Sequence, residues 1–484
     1  MSIPAMIKRN AKAVEGQDQT LADSQFSCTY RELPGLLDGI DRYLQEQGVD
    51  FAGIPALECI NSLAGALTLL SLFYKGRSFL LLPGSGDAEH GLDSKPVSSF
   101  CPWRIAVRRA PPDGPSSWLD TPERFLAVTQ NPGHAGAPVE LADAKARLYL
   151  RTSGSMGAAK IVVHEHGQLI GNARNCLERF GLEAADRVTL PVPIFHMYGL
   201  GAGFLPALAA GASIHVEDNS NILRYLETER RFRPNVAFLN PLLCDMLLRG
   251  RRSKGGYRRV VTSTQRIKEE TFRAFEERFG GLVSLYGSTE MGAVAACRAD
   301  DPLEQRLSTL GRPLSGVELR MAEPDAACSE LLCRHPYGYL GYLDDAGQWL
   351  YRTAPSDWYR TGDLVEAIPP EGFAVKGRAN DSINRSGYLV MLNDIENAME
   401  KLADLTQVAV VAADHREDQR GPRLTAFCAI KRNAVLDAAG IRAACFELLP
   451  HYAIPDRVVV IDALPLLPSG KVDRQALAAH AVQA

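Results

Sequence analysis

Short apolar runs alternate with helix-like segments from about residue 30 to residue 320, and this alternation limits the possible folds more than any other feature of the chain. RLYL (147–150), RVTLPV (187–192), ASIHV (212–216), VAFL (236–239), RRVVTS (258–263) and LVSLYG (282–287) read as strands, and Glu165 to Arg179 reads as a helix. Strands separated by helices specify an α/β domain. Ligands of such sheets lie beyond the carboxyl ends of strands, so the loops there carry the chemical reading.

At 484 residues the chain is too long for one core. Composition changes near Lys376, after which come a glycine-arginine turn, a helix (Asp394–Leu402), two strands (VAVVAA and LTAFCAI) and another helix. The expected division is a large N-terminal α/β domain with several sheets, residues 1–377, and a small α+β domain, residues 378–484. A net charge of −4 lacks the basic excess of a nucleic-acid binder. The ten cysteines are scattered without zinc-ligand spacing. Lys8 and Arg9 are followed by no apolar segment, so no secretory signal and a cytoplasmic location are expected. Met197 to Val216 carries no formally charged side chain over twenty residues, enough to span a bilayer. Four glycines, Pro206 and His215 dilute it, and it reads as an interior helix followed by a strand.

Four motifs carry chemistry, each with a plainer reading beside it. Thr152-Ser153-Gly154-Ser155-Met156-Gly157-Ala158-Ala159-Lys160 places hydroxyls and glycines between a strand and a helix, where backbone N–H groups can wrap a phosphate chain. Its GxxGxxK spacing is not that of a Walker A loop, and a simple turn is the alternative. Tyr286-Gly287-Ser288-Thr289-Glu290 sets a carboxylate beside hydroxyls at a strand end, suited to Mg²⁺ and a phosphate oxygen; a helix start capped by Ser288 is the alternative. Tyr359-Arg360-Thr361-Gly362-Asp363-Leu364, with Gly377-Arg378 and Asp381, offers a carboxylate for ribose hydroxyls and a guanidinium for phosphate or sugar oxygens, or merely a surface ion pair. Leu467-Pro468-Ser469-Gly470-Lys471 ends in a lysine on a glycine-containing loop, either a mobile charge for a carboxylate attacking a phosphate or a solvated tail.

In this order and at these separations the four motifs resemble the adenylate-forming superfamily, which holds acyl- and aryl-CoA synthetases, peptide-synthetase adenylation domains and beetle luciferases. Thr29-Tyr30-Arg31-Glu32-Leu33, Pro193-Ile194-Phe195-His196-Met197-Tyr198-Gly199 and Gly311-Arg312-Pro313-Leu314 are similar to further segments of that family. The resemblance implies an ATP-dependent, AMP-forming ligase that joins an acid to a thiol and has a mobile C-terminal domain. It implies that Thr152, Ser153, Gly154, Ser155, Gly157 and Lys160 cover the β- and γ-phosphates, and that Ser263, Tyr286 and Gly287 frame the adenine. Thr289 would meet the α-phosphate, Glu290 would bind Mg²⁺, Asp363 would hold the ribose with Arg378 nearby, His196 would line the acid pocket, and Lys471 would be the catalytic lysine.

The chain departs from the pattern at Met156, at the bulkier Thr262-Ser263-Thr264-Gln265-Arg266 turn and at Asn380, where the family hinge usually has Asp or Lys. Ile194 to Gly199 holds no carboxylate to pair with a substrate ammonium, and an unpaired buried ammonium is costly. An aryl or acyl acid is therefore expected. The thiol would be that of CoA or of a phosphopantetheine arm on an acyl or peptidyl carrier protein. Arg249, Arg251, Arg252, Lys254, Arg258 and Arg259 form a basic run that could meet either. A stand-alone amino-acid adenylating enzyme and a non-catalytic nucleotide or acyl-adenylate sensor are the competing functions.

Overall fold

The protein was analysed as a computed structural model that describes residues 2–12, 19–85, 97–111, 116–136, 145–152, 160–217, 222–250, 256–263, 267–369, 372–379, 382–385, 388–413, 422–431, 436–466 and 472–483. Ser153, Gly154, Ser155, Met156, Gly157, Thr264 to Arg266, Asn380, Asp381 and Lys471 lie outside the described residues. The chain divides into two compact units, one of residues 1–319 and 333–359 and the other of residues 320–332 and 360–484.

Two large sheets build the first unit. The nine-stranded sheet runs in the order 312–313, 292–296, 282–288, 259–262, 236–239, 187–190, 213–216, 20–22, 27–29. Its centre is parallel, from Ser213–Val216 through Leu282–Ser288. The eight-stranded sheet runs 349–352, 341–343, 160–165, 147–152, 79–83, 56–59, 103–107, 126–130. The central strands of both sheets are buried on both faces, which is why they read as unbroken apolar runs. Val236 and Phe238 face the main core while Ala237 and Leu239 face a second cluster with Phe272 and Phe275. Val162 likewise faces the main core, and Ile161 and Val163 a third cluster around Tyr149.

The stretch Met197–Val216 resolves as expected into interior structure. A π-helix (Tyr198–Phe204), an α-helix (Leu205–Ala210) and a strand (Ser213–Val216) follow one another, nearly all buried. Among the described residues no helix is long and apolar enough to cross a membrane. The helix expected over Glu165 to Arg179 spans His166–Phe180, opened by a capping box between Glu165 and Gln168 and stopped by Gly181 at φ 59°.

The smaller unit is α+β. A sheet ordered 318–321, 329–334, 359–368, 372–378 falls mostly within it. A three-stranded sheet of Leu405–Ala413, Arg423–Ile430 and Arg457–Ile461 carries the helices Leu392–Met399, Ala438–Leu448 and Arg474–Gln483 over its own core. All ten cysteines are free.

Candidate active site

His196, Tyr198, Ser263 and Tyr286 follow or end strands of the nine-stranded sheet at its carboxyl edge, the side where the fold class predicts a ligand. Tyr198 presents its hydroxyl to the carbonyls of Leu239 (2.9 Å) and Val261 (2.7 Å), binding the start of the π-helix to two strand ends. The loop before this helix turns back so closely that a Cβ on Gly199 would sit 2.1 Å from Pro193 O. π-helices concentrate at functional sites, where they re-aim side chains. His196 heads this segment. It is exposed, with Phe195 edge-on at 4.9 Å, and so does not belong to the core. Buried Asn61 fixes the preceding loop, donating to the carbonyls of Leu190, Val192 and Glu217 and accepting from Ile194 N–H.

The segment Tyr286–Glu290 lies on a hairpin between strands Leu282–Ser288 and Gly292–Ala296, with a register shift between Tyr286 and Gly287. Ser288 Oγ accepts from Met291 N–H at 3.0 Å inside the turn, so Ser288 caps a turn and not a helix. Ser263 Oγ donates to Leu285 O (2.9 Å), joining the loop after strand Arg259–Thr262 to this hairpin. Tyr286 and Glu290 are half-buried.

Thr152 and Lys160 face each other across an antiparallel pair, Arg147–Thr152 with Lys160–Glu165, and Thr152 Oγ1 donates to Lys160 O at 3.1 Å. This corrects the expected setting of the glycine-rich loop. It joins two strands, and the helix begins only at His166, six residues after Lys160. No helix N-terminus therefore follows the loop directly.

Strand Lys160–Glu165 also brings the two sheets together. His164 Nε2–H donates to Thr289 O (2.8 Å), and His335, whose Nδ1 accepts from Tyr337 N–H, donates from Nε2 to Ala293 O (3.0 Å). Burial pushes both imidazoles down to about 4, so they stay neutral and clamp the hairpin from behind. Tyr342, on the neighbouring strand Gly341–Leu343, donates to Glu290 Oε1 at 2.9 Å, and Lys160 Nζ lies 5.2 Å from the centre of its ring. Sequence reasoning missed Tyr342, His164, Asn172 and Asn61.

In the smaller unit, Asp363 and Arg378 sit opposite each other on strands Tyr359–Ile368 and Gly372–Arg378, with Arg378 Nε 2.8 Å from Asp363 Oδ1. Asp363 is buried and Arg378 exposed, unlike a solvated surface pair. On the two sides of residue 471, Leu466 bridges Val472, and Arg474 forms a two-pronged ion pair with buried Glu396 (2.8 and 2.9 Å) while donating to Val410 O. Of the basic run, Arg249 pairs with Asp245 (2.8 Å), Arg258 pairs with Asp186, and Arg259 donates to Phe180 O; residues 251, 252 and 254 lie outside the described ones.

Two family models match the chain. The AMP-binding enzyme model covers residues 110–343, and the model of the AMP-binding enzyme C-terminal domain covers residues 394–471. Sulfoacetate–CoA ligase of Cupriavidus necator is 28% identical over 69% of this chain and 67% of its own length. Indoleacetate–CoA ligase of Aromatoleum aromaticum is 27% identical over 98% and 96%. The ATP-bound MatB structure from Rhodopseudomonas palustris superposes with a TM-score of 0.79 at 19% identity, covering 99% of both chains, a likeness of fold.

Proposed function

The chain belongs to the adenylate-forming superfamily of AMP-binding enzymes and is an AMP-forming acid–thiol ligase, and from that premise we propose that it activates a small aryl or aliphatic carboxylic acid, not an α-amino acid. In the first step a carboxylate oxygen attacks the α-phosphorus of ATP, the bond to the bridging oxygen breaks, and pyrophosphate leaves with the electron pair. In the second, a thiolate attacks the acyl carbon and AMP leaves. The thiol belongs to CoA, as in the relatives' names, or to a carrier-bound phosphopantetheine.

The observation that carries this reading is the junction of the two sheets at Thr289–Glu290. It places a cation (Lys160), hydroxyls and a carboxylate (Glu290) along one edge, the donor set a metal-bound triphosphate requires. Glu290 offers one carboxylate, and among the described residues no three His, Cys, Asp or Glu side chains gather as ligands. That fits Mg²⁺, which is held by one or two carboxylates together with substrate phosphates and water, where it offsets charge on the phosphates. In this proposal Tyr286, Gly287 and Ser263 border the adenine, Thr289 meets the α-phosphate, and Thr152, Lys160 and the loop 153–157 cover the outer phosphates. Asp363 takes the ribose hydroxyls beside Arg378, His196 borders the acid, and Lys471 neutralises the attacking carboxylate. Residues 1–377 bind ATP and acid, and residues 378–484 form the mobile part. Positioning and charge neutralisation then supply the catalysis.

Acid-dependent ATP–pyrophosphate exchange tests the substrate class. Across a panel of aryl, aliphatic and proteinogenic amino acids, an aryl or aliphatic acid should be the best substrate. A best substrate among the amino acids would overturn that choice. No exchange with any acid, alongside tight ATP binding, would favour the sensor.

A further inference from the structure

Tyr342 stands between the two charged side chains that the proposed triphosphate site uses. Its hydroxyl edge serves Glu290 and its ring face serves Lys160, so one side chain holds an anion and a cation on different sides. A hydrogen bond to an ionised acceptor is about twice as strong as a neutral one, and a cation over an aromatic face is attracted by the ring's quadrupole.

The surroundings fix the tyrosine itself. Its strand pairs with Lys160–Glu165, Tyr342 opposite Val162. The Tyr339 ring packs edge-on at 5.0 Å and in turn meets Tyr359 at 5.6 Å. The same segment grips the Glu290 backbone, because Tyr339 N–H donates to Glu290 O at 2.8 Å.

We propose that Tyr342 is a positioning residue of the metal–triphosphate site. Its hydroxyl engages one oxygen of Glu290 and leaves the second for the magnesium that arrives with ATP, while its ring seats Lys160 for the outer phosphates. This rests on the reading of Glu290 as the metal carboxylate. Supports of this kind commonly change metal affinity by 10–100-fold when removed.

Calorimetric titration of the full chain with MgATP, and with ATP in excess EDTA, separates this role from simple packing. Tyr342→Phe keeps the ring and removes the hydroxyl. It should weaken MgATP about tenfold, leave metal-free ATP unchanged, and raise KM for MgATP without moving KM for the acid. In a Glu290→Gln background the same change should add nothing, because the group it acts through is gone. Tyr342→Ala should weaken metal-free ATP as well, since Lys160 loses its seat. Equal weakening of MgATP and ATP by Tyr342→Phe would overturn the proposal, as would multiplicative effects of Tyr342→Phe and Glu290→Gln. Wild-type protein that binds no MgATP would sink the functional reading itself, and is read without any variant.

Discussion

Gly287 shows how much of the site depends on one missing side chain. It lies where the hairpin register shifts, and a Cβ there would stand 2.2 Å from Gly292 O across the strand pair. Neither backbone can yield without moving Tyr286 on one side or Thr289 and Glu290 on the other. Gly287→Ala should therefore cost about 1–3 kcal/mol, the usual range for overpacking. It should also weaken MgATP by at least about tenfold, since a shift near 1 Å at a positioned group has that effect or more. Urea unfolding and calorimetric titration check the two halves, and an alanine variant with native stability and affinity would remove Gly287 from the site. The neighbouring polar residues were legible as a motif because they are contiguous in sequence. Tyr342 and His164 were not. They reach the hairpin from strands of another sheet, more than fifty and more than a hundred residues away, and no local pattern marks a tyrosine whose hydroxyl finds a carboxylate that far along the chain.

Helix His166–Phe180 does at the level of an element what Tyr342 does at the level of a residue. Gln168, Asn172, Asn175 and Arg179 recur at helical spacing and form a polar stripe on a packed face. Gln168 donates to Gly338 O, Asn175 to Ser315 O, and Arg179 to the carbonyls of Ala296, Arg312 and Pro313. Asn172 donates to Gly201 O in the π-helix at 2.9 Å and accepts from Ala293 N–H at 2.8 Å, tying the proposed acid pocket to the proposed nucleotide hairpin. Asn172→Ala leaves that carbonyl and that N–H buried without a partner, and about 2–3 kcal/mol of stability should go with them. Urea unfolding reads the loss; a change below about 0.5 kcal/mol would show that the helix is not the spine described. The helix was legible to within one residue at either end, read as Glu165 to Arg179 and found as His166–Phe180. The strand Lys160–Glu165 before it was not, because only three apolar residues separate Lys160 from His164-Glu165-His166, and a short apolar run beside a helix start is absorbed into the helix pattern. The strand Val236–Leu239, buried on both faces, was found at its true ends, since nothing polar interrupts it.

At the scale of the whole molecule the two units should respond differently to acid. His164, His166, His215 and His335 are all buried in the larger unit, and burial, the first cause in each case, pushes every one of them down to about 4. Among its described residues the smaller unit buries no histidine. An unfolded histidine titrates near 6.5, so the folded larger unit binds fewer protons than the unfolded one between those values. Its histidine-linked stability is complete above about pH 6.5 and is lost as pH falls toward 4, by at most about 2 kcal/mol per histidine at pH 5. Buried cysteines report each unit separately: Cys176 and Cys244 for the larger, Cys428 and Cys445 for the smaller. After equilibration in urea at pH 7 and at pH 5, a brief pulse of thiol reagent read by mass spectrometry should show the midpoint for Cys176 and Cys244 falling with pH. The midpoint for Cys428 and Cys445 should move much less. His164→Gln retains a donor for Thr289 O but cannot take up the proton, so this variant should lose less stability between the two pH values than the native chain. Equal shifts in both units, or an unchanged slope in His164→Gln, would mean that acid acts through groups other than the buried histidines behind the hairpin.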